Sequence, residues 1–127
     1  MEISAEYSIL AEISFFMAFD NHLAARVESF LEKRNANFYT RKMFGGLCFM
    51  VNEKMMVGIR EDMIMARIDP DDEEDLRKLP GVKDMDFTGR PMKGFLYVGP
   101  EAIDSEDDFE YVMNKTLKYN PKAKSSK

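Results

Sequence analysis

Cysteine occurs once in the 127 residues, as Cys48, and histidine once, as His22. One cysteine excludes an internal disulfide and any cysteine-rich metal site. No second His or Cys stands at ligand spacing from His22, which excludes a zinc centre as well. His22 lies beside residues that can cap a helix, and a surface or capping role is its expectation. A basic excess is also missing: 23 acidic residues face 18 basic ones, for a net charge of -5. Duplex nucleic acid is held largely through counterion release by clustered Lys and Arg, so this balance disfavours direct nucleic-acid binding. No apolar run reaches the roughly 18 residues of a spanning helix. The apolar N-terminal stretch lacks a basic start and is interrupted by Glu2, Glu6 and Glu12, so neither a signal peptide nor a membrane anchor is expected. Internal repeats and an interdomain linker are absent too.

What is present suits one folded domain. The hydrophobic share of 45% and charged share of 32% are globular values, and the length supports a single core. With 11 methionines and one cysteine the chain suits a reducing cytoplasm. Residues 1–16 read as an N-terminal extension. There Ile9, Leu10, Ile13 and Phe16, followed by Met17, have the spacing of a helical apolar face. Such a face packs on the body or on a second subunit, and a disordered leader is the alternative.

Residues 17–120 form the expected domain. Asp20 or Asn21 caps a helix with the stripe Leu23, Val27, Phe30 and Leu31. From Phe38 the period falls to 2, with Leu47, Phe49 and Val51 on one face and Cys48 and Met50 on the other. A glycine pair within strand periodicity marks a bulge or bend, so residues 38–51 are predicted as one long strand bent at Gly45 and Gly46. Short polar turns then lead to strands at 55–60 and 63–68, completing a three-stranded antiparallel meander. Asp69 caps the next helix with Pro70 at its first position, and Pro80-Gly81 stops it. A second block, 85–98, ends in a strand, and Ser105 caps a final helix with the stripe Phe109, Val112, Met113 and Leu117. Residues 121–127 read as a disordered basic tail. The class is α+β: helix, three-stranded meander, helix, two strands, helix.

Candidate chemistry is sparse. Cys48 sits in an apolar strand and reads as a small buried hydrophobe, with a catalytic thiolate as the weaker alternative. The acidic runs 69–75 and 106–108 have helical spacing and lack the central glycine of a calcium loop, so they read as helix N-termini. Gly45-Gly46 lacks the strand-to-helix turn and the third glycine or Lys-Ser/Thr of a phosphate cradle. Arg41, Lys42, Arg90 and Lys93 flank the two glycine-containing blocks. They are either solvated sheet edges or one basic patch that recognises a partner's acidic surface or a phosphate. The methionines around the sheet fill an irregular core or line an adaptable surface.

Met17-Ala18-Phe19-Asp20, the run from Lys42 through Phe44-Gly45-Gly46-Leu47-Cys48-Phe49 to Met55, Met65-Ala66-Arg67-Ile68, and the run from Met85 through Gly89-Arg90-Pro91 to Gly94-Phe95-Leu96-Tyr97-Val98 resemble, in order, the N-terminal domain of the TfoX/Sxy competence-regulator family. Gly45, Gly46, Gly89, Pro91 and Gly94 form the structural signature of this likeness. The resemblance spans residues 17–120. It implies a fold similar to the type III secretion chaperones and a role as a bacterial regulator of competence genes, acting with the cyclic-AMP receptor protein. It implies no enzymatic activity, no catalytic residues and no cofactor. Longer members carry a further C-terminal helical domain. The expected function is a cytoplasmic, non-enzymatic regulatory module that binds a protein partner, such as a transcription factor. Direct nucleic-acid binding through a local basic patch and a small-molecule pocket at the Gly-Gly bend are the alternatives. Folds of this kind often dimerise, and the apolar leader makes a homodimer plausible.

Overall fold

The computed structural model describes residues 19–86 and 89–124. Residues 1–16, expected as an extension, lie outside the described residues. The first helix, α1 (Asn21–Lys33), begins where the sequence places it, because the Asp20 carboxylate accepts a hydrogen bond from the Leu23 amide at 3.0 Å. Its stripe of Leu23, Val27, Phe30 and Leu31 is buried.

Four strands follow: β1 (Phe38–Met43), β2 (Gly46–Val51), β3 (Lys54–Arg60) and β4 (Met63–Arg67). The single bent strand expected over 38–51 is instead a hairpin. β1 pairs antiparallel with β2, with Met43 opposite Gly46. The two residues between them, Phe44 and Gly45, have φ of 57° and 73°. Two consecutive positive φ values define the two-residue turn whose twist matches paired strands, so the meander has four strands and not three. Phenylalanine rarely occupies such a position. Here its ring packs into an apolar cluster and lies 6.4 Å from the Phe95 ring, which offsets the backbone cost. Asn52 and Glu53, at φ 56° and 63°, turn β2 into β3 in the same way.

Asp69 opens a 3-10 turn, Pro70–Asp72, that runs into the short helix α2 (Glu73–Leu76), its carboxylate accepting from the Asp71 amide. Two strands, β5 (Val82–Asp84) and β6 (Phe95–Val98), complete an antiparallel sheet of order β1-β2-β3-β4-β6-β5. A short helix, α3 (Pro100–Ile103), which the sequence reading did not foresee, precedes α4 (Glu106–Tyr119). The Ser105 hydroxyl accepts from the Asp108 amide, as the capping pattern predicts.

The four helices contribute to one core with one sheet face. Leu47, Phe49 and Val51 meet Phe30, Phe109 and Val112 there, the Phe30 and Phe109 rings edge-on at 6.4 Å. Burying a side chain of this size is worth about 1.5–3 kcal/mol, so this layer carries most of the stability. The other face holds a second cluster of Cys48, Met50, Met55, Met65, Met85 and Tyr97. Burial on both faces explains why every residue of β2 is buried.

The chain does not loosen at Pro121 as expected. Asn120–Lys122 forms a 3-10 turn, Ala123 is buried, and the Lys54 ammonium donates to the carbonyls of Asn120 and Pro121 at 3.2 and 2.9 Å. Residues 125–127 lie outside the described residues.

Candidate interaction surfaces

The residue types that could do chemistry are dispersed. His22 is exposed near the start of α1, and among the described residues no group of three His, Cys, Asp or Glu side chains could hold a metal ion.

Cys48 is fully buried and its Sγ donates to the Met43 carbonyl at 3.6 Å. Burial pushes the thiol pKa up to about 12, against smaller opposing effects of that hydrogen bond and of Arg41. A thiol of this kind is no nucleophile near neutrality. Because the folded pKa lies above the unfolded one, the associated stability is complete below about pH 8.5 and is lost as pH climbs toward 12. Urea melts at pH 7.5 and 10 should therefore show the native chain losing about 1.5–2 kcal/mol more than Cys48→Ala. Equal losses would mean that the thiol is solvated.

The glycine pair divides its work. Gly45 turns the hairpin, and a Cβ there would lie 3.4 Å from Nε of Arg60, so the turn is backed by a guanidinium. Gly46 lets β2 approach β3, as a Cβ would fall 2.1 Å from the Ile59 carbonyl oxygen. A cleft of about 520 Å³ lies at the opposite, open end of the hairpin, lined by Asn35, Asn37, Phe38, Tyr39, Asn52 and Asn120 among others. Asn120 is 2% exposed; its amide donates to the Val51 carbonyl at 3.0 Å and its side-chain oxygen accepts from Asn52 at 2.8 Å.

Arg41, Lys42, Arg90 and Lys93 are all exposed. Arg41 and Lys42 lie on β1, the outer strand at one side of the sheet, whereas Arg90 and Lys93 precede β6, four strand positions away. The β1–β2 turn and the start of β6 nevertheless meet over the second cluster, where Met43, Phe44, Met92 and Phe95 pack and the Phe44 and Phe95 rings lie 6.4 Å apart. Adjacent strand residues point to opposite faces. Arg41 accordingly stands opposite Cys48 of the second cluster and Lys42 opposite Leu47 of the helix-covered core.

Arg60 and Arg67, at the ends of β3 and β4, are two further cations of the sheet. Arg60 donates to the Tyr97 hydroxyl at 2.9 Å, and half-buried Arg67 donates to the Met55 carbonyl and lies 5.3 Å over the Phe95 ring. Burial lowers the Arg67 pKa. Strand parity was the available signal, since Gly58-Arg60 and Met63-Met65-Arg67 alternate onto the face of Cys48.

Among the described residues β1, with six residues, is the longer of the two outer strands, β5 having three. Among the described residues β1 pairs only with β2, and Tyr39, Thr40, Arg41 and Lys42 are exposed. In a two-residue hairpin the flanking pair, here Met43 and Gly46, exchanges both backbone bonds. By alternation Phe38, Thr40 and Lys42 then aim their N–H and C=O groups outward.

Neither the curated proteins nor the solved structures contain a match to the chain. The model of the TfoX N-terminal domain matches residues 33–119, which takes in the hairpin, the whole sheet and α4. That match covers well over half of the 127 residues, and the chain belongs to the TfoX N-terminal domain family.

Proposed function

We propose that this chain is a non-enzymatic regulatory module of the competence-regulator type, acting on transcription in the bacterial cytoplasm by binding a protein partner. Membership of the TfoX N-terminal domain family supports the regulatory part of this reading. The observation that carries the mode of binding is the outer edge of β1, exposed from Tyr39 to Lys42 and bearing Arg41 and Lys42. An unpaired edge offers alternating donors and acceptors to a further strand, and side chains next to it set the choice of partner. Two cations on the edge of a chain of net charge -5 select an extended acidic segment and discourage a second copy of the same surface.

Thr40→Pro tests the backbone part. Thr40 aims its N–H outward, so proline removes a docking bond and spares the β1–β2 ladder, as edge strands tolerate. Arg41→Glu with Lys42→Glu tests the charge part. Capture from the native host, compared across the native chain and both variants, should recover a protein that each variant loses at least tenfold. Equal recovery by the native chain and both folded variants would refute docking at this edge.

A further inference from the structure

The cleft of about 520 Å³ at the open end of the β1–β2 hairpin continues the β1 edge, because Phe38 and Tyr39 begin β1 and also line the cleft. A cavity of that size has room for a large side chain. Its floor is apolar: Val51 belongs to the helix-covered core, and Phe38 and Leu117 pack against that core. Its rim is polar, with the exposed side chains of Asn35, Asn37 and Asn52 around the buried Asn120. A strand added to β1 would meet this hollow at one end of its path.

The two ends of that path differ in charge. Arg41 and Lys42 stand next to the Phe44-Gly45 turn. At the cleft, Glu53 is the charged residue among the described lining, and its carboxylate accepts from the Tyr39 hydroxyl at 3.3 Å. Lys54 does not line the cleft, and its ammonium is held by the carbonyls of Asn120 and Pro121. Four strand residues separate Phe38 from Lys42, about 14 Å, which exceeds the screening length of about 8 Å at physiological salt. An acidic side chain is thus drawn to the cationic end and disfavoured at the cleft.

The register follows from strand parity. Phe38, Thr40 and Lys42 share one face and aim their backbone groups outward, whereas Tyr39 and Arg41 point to the other face. The strand pairs of this sheet are all antiparallel. A segment that continues the pattern passes Lys42 first, then Arg41, and reaches Phe38 four residues after Lys42. The residue opposite Phe38 has its side chain on the helix-covered side, beside the Phe38 ring and at the cleft. Neighbours across strands on one face lie about 4.5–5.5 Å apart, within reach of aromatic contact.

We propose that this cleft is the specificity pocket for the segment that docks on β1, and that it takes a tyrosine or tryptophan side chain. Such a ring covers the apolar floor, and the donor at its tip serves the side-chain oxygens of the asparagine rim. The segment recognised then has two acidic residues, two residues of any kind and the aromatic residue, in that order. Backbone bonds along the edge supply attachment, and the pocket supplies the choice of sequence. This inference rests on docking at the β1 edge and adds to it the anchor and the register.

Fluorescence anisotropy with labelled synthetic peptides tests it on the full native chain. The peptide Thr-Glu-Glu-Thr-Val-Tyr-Thr-Val should bind at least tenfold tighter than the same peptide with alanine for tyrosine. It should also bind at least tenfold tighter than one with the tyrosine moved by a single residue. Asn37→Trp, an exposed substitution that fills the cleft, should abolish both preferences in a chain whose urea midpoint is unchanged, and should leave the alanine peptide's affinity as it was. Equal binding of the three peptides by the native chain, lost in Thr40→Pro, would overturn the pocket and leave edge docking intact. A preference for tyrosine that persists in folded Asn37→Trp would overturn the pocket as well. Tyrosine-dependent binding that Thr40→Pro leaves unchanged would overturn edge docking and the register together, as would failure of the native chain to bind any of the peptides.

Discussion

Gly46→Ala is expected to cost about 3 kcal/mol, the upper end of the range for forcing extra atoms into a packed interior. The added Cβ would fall 2.1 Å from the Ile59 carbonyl oxygen and 3.0 Å from its carbon. Gly46 does not have a positive φ, so backbone preference is not the cause; the cause is the closeness of β2 to β3. Ile59 is fully buried, and its strand is paired on both sides, to β2 and to β4, so its backbone can yield only by disturbing two ladders. Gly58→Ala provides the contrast. There the new methyl meets Cε of Met65 at 2.7 Å and Sγ of Cys48 at 3.0 Å, and its nearest backbone atom, the Leu47 carbonyl oxygen, lies farther off at 3.2 Å. A thioether end can rotate away, so the expected cost is about 1 kcal/mol. Urea denaturation of the two variants would show a clear gap, and equal midpoints would contradict the assignment of rigid and yielding neighbours.

The same hairpin shows where sequence reading reaches its limit. α1 and α4 were legible because their signals are local: a capping Asp20 or Ser105 followed by apolar residues at helical spacing. The faces of β2 were legible because alternation is local as well. The turn at Phe44-Gly45 was hidden for two reasons. Its first residue is not one of those that usually accept a positive φ. In addition, a two-residue turn reverses the parity of the strand, so Lys42 faces with Leu47, but β1 is an edge strand with polar residues on both faces. With no buried face on β1, the change of phase left no mark.

Strand order was beyond reach for another reason. β6 inserts between β4 and β5, a nonlocal choice made by pairing Ile64 with Val98 and Arg67 with Phe95. That choice gathered Arg60, Arg67 and Lys83 on a face where neighbours in sequence could not reveal them.

Asn120→Leu is expected to cost about 2–3 kcal/mol, because it strands buried polar groups instead of removing a contact at the surface. The residue looked like the end of the domain, yet it is 2% exposed and holds the end of α4 to the β2–β3 turn. Leucine would leave the Val51 carbonyl without its donor and Asn52 without its acceptor. Asn52→Gly removes one of the same hydrogen bonds from the opposite side, but with a different balance. Asn52 is exposed and has a φ of 56°, a conformation glycine adopts freely, so the expected change stays within about 1 kcal/mol. Lys54→Met should fall between them at about 1 kcal/mol, since its ammonium neutralises the carbonyl end of α4 through Asn120 and Pro121. Because Asn52 and Asn120 share a hydrogen bond, their double variant should lose less than the sum of the singles. Strict additivity in urea melts, or an Asn120→Leu chain as stable as the native one, would show that the C-terminal turn is held by apolar packing of Ala123 alone and not by the buried amide.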